Sequence, residues 1–126
     1  MPKATKIPVS EIQRLAGRRL RAVRELAGVK QEALCERLRI DQSTWSKYEQ
    51  GKRTPGMPVM IEFAARFDVS LDFIFRGLPV GMHPELVKLM RLGHPDLLTR
   101  LNPNKSDDPD AALSTYRGAI DPVGAG

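Results

Sequence analysis

The run from Lys30 to Gly51, KQEALCERLRIDQSTWSKYEQG, constrains the fold more than any other part of the chain. It holds two short helical patterns with only Arg39, Ile40 and Asp41 between them. Leu34 and Leu38 are four apart with Cys35 beside them, which gives the first pattern, Gln31 to Leu38, one apolar stripe. Trp45 and Tyr48 are three apart and give the second, roughly Gln42 to Gln50, another. Helices joined by so short a turn must cross steeply, stripe against stripe.

The opposite face of the second pattern carries Ser43, Ser46, Lys47 and Gln50, with Gln42 at its N-terminal end and Asp41 or Ser43 available as cap. Amide, hydroxyl and ammonium groups are what base edges bind: Gln makes paired hydrogen bonds to adenine, Lys donates to guanine, Ser is permissive. Gln31 opens the first pattern, where free N–H groups and the helix dipole favour a phosphate.

The segments GRRLRAVRELAG, KQEALCERL, IDQSTWSKYEQGKRTP, MIEFAARFDVS and LDFIFRG, from about Gly17 to Gly77, resemble the Cro/repressor-type helix-turn-helix proteins, the XRE family with its lambda-repressor-like domain. The resemblance implies an all-α fold of five helices whose third reads DNA. It implies base reading by Gln42, Ser43, Ser46 and Lys47, and phosphate binding by Gln31, Thr44, Lys52 and Arg53. It further implies an ion pair between Arg24 of the first helix and Glu49 of the third. Two residues depart from the family pattern. Cys35 stands where Ala is usual, a small change that packs. Arg39 stands where Gly is usual, because that turn position needs positive φ; Arg costs about 1 kcal/mol there or bends the turn, and can gain a phosphate contact.

Charge supports this reading. Residues 1–78 carry 15 Lys and Arg against 9 Asp and Glu, whereas residues 79–126 carry 5 against 6. The basic excess lies in the candidate DNA-binding part. One cysteine excludes an internal disulfide framework and a Cys-rich zinc site, and its place on the apolar stripe predicts an inert core thiol. No apolar run approaches the roughly 18 residues of a membrane span, and MPKATKIPVSEIQ has no signal-peptide core. A cytoplasmic protein of bacterial or phage origin is expected, with no cofactor, no metal and no catalytic residue. His83 and His94 precede prolines and are read as helix-entry residues rather than metal ligands.

The chain divides into a flexible arm over 1–9, whose Lys3 and Lys6 are either solvated or track DNA, a DNA-binding domain over 10–78, a helical extension over 79–102 and a disordered tail over 103–126. Within the domain, Ser10 is expected to cap a helix from Glu11 to Ala27, closed by Gly28, with Ile12, Leu15, Leu20, Val23 and Ala27 inward. A fourth helix begins near Pro58 and ends near Phe67, with Met60, Ile61, Ala64 and Phe67 inward. Ser70 is expected to cap a fifth that ends before Gly77. In the extension, His83-Pro84-Glu85-Leu86-Val87 recurs eleven residues later as His94-Pro95-Asp96-Leu97-Leu98, which predicts helices over 84–91 and 95–101 around Gly93. Leu86, Leu89, Met90, Leu97, Leu98 and Leu101 need a docking surface, either the domain or a second protomer, with Leu71, Phe73 and Phe75 as the adjoining face.

The function expected is sequence-specific regulation of transcription, most simply repression, by a homodimer on a two-fold site in double-stranded DNA. The competing class is a protein-interaction module on the same fold, an antitoxin or antiactivator, that meets its partner through the extension.

Overall fold

Pro8 starts the first helix. It stands at φ −58° and ψ 143°, and its carbonyl accepts from the Glu11 and Ile12 amides at 3.0 and 3.1 Å. In the computed structural model, which describes residues 7–99, α1 therefore runs Val9–Leu26. Ser10 falls inside the first turn and caps nothing, a correction of the expected start: the proline sets the boundary, without a side-chain cap. At the other end, Gly28 N donates to Glu25 O and Val29 N to Arg24 O, at 3.0 and 3.1 Å, the paired bonds of a Schellman ending. Ala27 lies beyond the helix and is exposed rather than inward.

The two central helices are α2, Gln31–Leu38, and α3, Gln42–Glu49. Arg39, the first residue between them, takes the left-handed conformation, φ 55° and ψ 46°. The turn keeps its shape and the arginine carries the strain. Asp41 occupies the N-cap position of α3 without a capping bond; the Ser43 hydroxyl donates to its carboxylate at 3.3 Å instead.

Next come α4, Met57–Phe67, and α5, Leu71–Arg76. Ser70 caps α5 by accepting from the Phe73 amide at 3.0 Å. In α4 the inward residues are Met60 and Phe63, both fully buried, while Ile61 is 53% exposed. The expected inward place of Ile61 is thus wrong by part of a turn. Met57, Met60, Ile61 and Ala64 admit two helical faces, and the fit of Phe63 against Trp45 selects the one that turns Ile61 out. Trp45 stacks on Phe63 at a centroid distance of 5.5 Å and meets Tyr48 edge-on at 5.8 Å. Around them lie Ala16, Leu20, Val23, Leu34, Leu38, Phe73 and Ile74.

Helix α6, Pro84–Gly93, follows, entered through His83, whose Nδ1 accepts from the Glu85 amide at 3.1 Å. Gly93 is its last residue rather than a spacer. The second unit of the repeat forms only a 3-10 turn, Pro95–Leu97, and Leu98 is already extended, so the expected helix over 95–101 is not present among the described residues. Among the described residues the chain is all-helical, with six α-helices and no strand.

The extension packs on its own domain. Met90 and Leu97 are fully buried in the single core cluster, and Leu86 and Leu98 pack against it. Phe73 is also wholly buried there, so it cannot adjoin a second protomer; Phe75 is partly buried and Leu71 is 39% exposed. Only Leu89 and Leu92 of the repeat's leucines remain exposed, while Leu101 lies outside the described residues, as do Lys3, Lys6 and the tail over 103–126. Arginines fasten the packing. Arg18 Nη2 is 2.7 Å from Asp96 Oδ2 at the surface. Arg19 is buried, at 3% exposure, and donates through Nε to Leu97 O at 2.8 Å and through Nη1 to Ile74 O at 3.2 Å. Its charge faces backbone carbonyls at the ends of two helical segments, whose dipoles offset part of its desolvation. Burial, and Arg18 beside it, hold its pKa below the usual guanidinium value. Thr99 completes the clasp, its amide donating to Gly77 O at 2.9 Å and its hydroxyl to Arg76 O at 2.6 Å.

Candidate nucleic-acid interface

The interface is built on α3, and α1 decides how α3 sits. A Cβ on Gly17 would come 2.3 Å from Tyr48 O and 2.7 Å from Glu49 O, so the two backbones are in direct contact. Just past α3, Gly51 has φ +74° and would place a Cβ 2.8 Å from the Arg14 Cα. Both contacts require glycine, the second for its backbone angle as well.

One carboxylate then fixes the rotation of α3. Glu49, 9% exposed, receives Arg24 in a two-point pair, Nε to Oε2 at 2.7 Å and Nη2 to Oε1 at 3.0 Å. Trp45 Nε1 donates to Oε2 at 2.6 Å and Gln31 Nε2 to Oε1 at 3.2 Å. The remaining Arg24 nitrogen, Nη1, donates to Val29 O at 3.0 Å. Each partner is thus hydrogen-bonded on several sides, the condition for keeping a desolvated pair. The bond to Glu49 raises the pKa of Arg24 further. Burial, with the Glu49 charge adding to it, raises that of the nearby Cys35 thiol, which is 4% exposed. A thiol held protonated inside the core is unreactive.

With Glu49, Trp45 and Tyr48 inward, α3 turns Gln42, Ser43, Lys47 and Gln50 to solvent, and leaves Thr44 and Ser46 partly covered. Gln31 links this face to the clamp. Its Oε1 accepts from Gln42 Nε2 at 3.2 Å and from Ser46 Oγ at 2.8 Å, while its Nε2 serves Glu49. The Gln31 side chain is therefore occupied in orienting two residues of α3, and its main-chain N–H at the start of α2 is the group left to meet a phosphate. The spacing of Gln31, Gln42 and Ser46 is visible in the sequence, but nothing there distinguishes an amide that contacts a ligand from one that orients its neighbours.

Lys52 and Arg53 are exposed in the loop after α3. Gln13 Nε2 donates to Thr54 Oγ1 at 2.8 Å, and Gly56 N to Tyr48 Oη at 3.4 Å, so the second half of the loop is tied to α1 and to α3. Neither tie has a sequence signal. Among the described residues, Lys47, Lys52 and Arg53 enter no ion pair, which leaves three cations on one side of the molecule free for an anion.

The strain at Arg39 gives a measurable expectation. Arg39→Gly should raise stability by about 0.5–1 kcal/mol in urea unfolding, since relief of the left-handed side chain outweighs the entropy of glycine. Destabilisation by this change would mean that Arg39 makes compensating contacts.

The family model of the helix-turn-helix domain matches residues 15–72, the stretch that contains α1 from Leu15, the clamp, α3 and its loop. No curated protein and no solved structure gives a significant match to the chain.

Proposed function

We propose, from the match of residues 15–72 to the model of the helix-turn-helix domain, that the protein is a sequence-specific regulator of transcription, a repressor, that binds a two-fold operator as a homodimer in the cytoplasm. The observation that carries this reading is the clamped α3, with Glu49 held from four nitrogens and Gln42, Ser43 and Lys47 left exposed. A helix fixed in rotation presents one constant set of groups to base edges, the requirement for direct readout in the major groove.

Gln42, Ser43, Ser46 and Lys47 read bases. Thr44, Lys52, Arg53 and the Gln31 main chain hold phosphates and set the register without specifying sequence. Repression then follows from occupying a promoter and needs no catalytic step. Two protomers read half-sites about 34 Å apart, one turn of DNA. Leu89 and Leu92, three apart and exposed on α6, favour a second reading in which that face meets another protein.

Selecting bound sites from a random DNA pool tests the reading directly; failure to enrich any sequence would defeat it. On the selected site, Gln42→Ala and Lys47→Ala should each weaken binding by about 1–3 kcal/mol and relax the preference at one position. Lys52→Ala and Arg53→Ala should weaken binding to all sequences alike and lower the salt slope by about one unit each. A changed preference with an unchanged slope would remove Lys52 and Arg53 from the phosphate contacts.

A further inference from the structure

A groove of about 570 Å3 lies between the α1–α2 connection, α2 and the end of α4, lined by Gly28, Val29, Lys30, Ala33, Leu34, Arg37, Arg66 and Phe67. Lys30, Ala33, Leu34 and Arg37 follow the spacing of one face of α2, so the groove runs along that helix. Its floor is apolar: Leu34 is buried, and Val29 and Phe67 are partly buried. Its edge carries three cations. Arg66 is paired with Glu62 at 3.1 Å, whereas Lys30 and Arg37 enter no ion pair among the described residues.

We propose that this groove is an effector site for a small amphipathic carboxylate, an acid with an aryl or acyl body. The volume suits a ligand of that size. The floor accepts an apolar body, and Lys30 and Arg37 are placed to receive the anionic end. An arginine meets a carboxylate in two parallel hydrogen bonds, and the apolar floor excludes water from part of that contact.

The site adjoins the clamp. Val29, in its wall, provides the carbonyl that Arg24 Nη1 donates to at 3.0 Å, and the same guanidinium holds Glu49. Lys30 directly precedes Gln31, which orients Gln42 and Ser46 at 3.2 and 2.8 Å. An occupant that draws Lys30 and Val29 toward the groove moves the anchors of α3. The regulatory part of the proposal rests on the DNA-binding reading; the binding part does not.

The test is a titration of the full chain with naphthalene carboxylate and, separately, with neutral naphthalene methanol, followed by amide NMR. The carboxylate should shift amides of residues 28–37 and 66–67 and bind about tenfold tighter than the alcohol. Lys30→Gln/Arg37→Gln, two exposed changes, should abolish that preference. Equal binding of acid and alcohol, shifts centred elsewhere, or no saturable shift would overturn the site. In a second arm, affinity for the selected DNA site is measured with and without the carboxylate at constant ionic strength. A severalfold change that the double variant lacks supports regulation. Binding in the groove with unchanged DNA affinity overturns the effector role. A protein that selects no DNA site shows this in the ligand-free sample, so failure of the DNA-binding reading is distinguished from failure of the groove.

Discussion

Glu49→Ala is expected to destabilise the protein by about 3–5 kcal/mol, the cost of leaving a buried charge without its partner. Arg24 would lose two hydrogen bonds at a place where its side chain is only 12% exposed beside Glu49. Trp45 Nε1 and Gln31 Nε2 would lose their acceptor as well. That total is a large fraction of the stability of a small domain, typically about 5–15 kcal/mol, so part of the population should be unfolded at moderate temperature. Replacement of both members, as Arg24→Met/Glu49→Met, should cost far less stability, because no uncompensated charge remains. If the clamp orients α3, this double variant should fold and yet bind the selected DNA site weakly. Urea unfolding and mobility-shift titration separate the two effects. A Glu49→Ala loss under 1 kcal/mol, or a double variant with full DNA affinity, would remove the clamp from the mechanism.

Leu97→Ala and Met90→Ala are each expected to cost about 2–5 kcal/mol, the range for emptying a fully packed aliphatic position. The extension looks dispensable by family pattern, because it lies beyond the matched residues 15–72. Physically it is part of the same core, with both side chains at 1% exposure or less. Removal of all residues after Leu78 should therefore lower the unfolding midpoint in urea, and not merely change the association state. A truncated chain of unchanged stability would show that these residues contribute no net burial. Sedimentation of truncated and full chains at equal concentration then measures what Leu89 and Leu92, the exposed pair, add to self-association.

The central part of the fold is legible in the sequence because it depends on local signals. The ends of α2, the three-residue turn and the Ser70 cap all follow from neighbouring residues. Arg39 could be marked as a strained position because it stands where the resembled family has Gly, the residue suited to positive φ. What could not be read depends on contacts distant along the chain. Arg19 has Arg18 and Arg21 beside it and reads as a solvated charge; its acceptors are carbonyls 55 and 78 residues away, and a carbonyl has no sequence signature. Ile61 and Phe63 compete for one face of α4, and only the position of Trp45 decides between them. In the candidate site, the Arg24–Glu49 pair rests on family resemblance, since 25 residues separate its members. The Gln31 network is not legible: the sequence points to the free N–H groups at the start of α2, whereas the side chain's proximity to Ser46 follows from the crossing angle of α2 and α3.

The buried Arg19 also bears on time. Its bond to Leu97 joins residues 78 apart, far more than the neighbouring-helix contacts of the matched domain. The entropy of closing a loop grows with its length, so such a contact forms after the shorter-range ones have paid for themselves in burial. Interactions absent from the folding transition state set the rate of escape from the native state rather than the rate of reaching it. The clasp of Arg19, Leu97 and Thr99 therefore has little to do with how quickly the helices assemble. It governs how long the assembled molecule lasts before it opens.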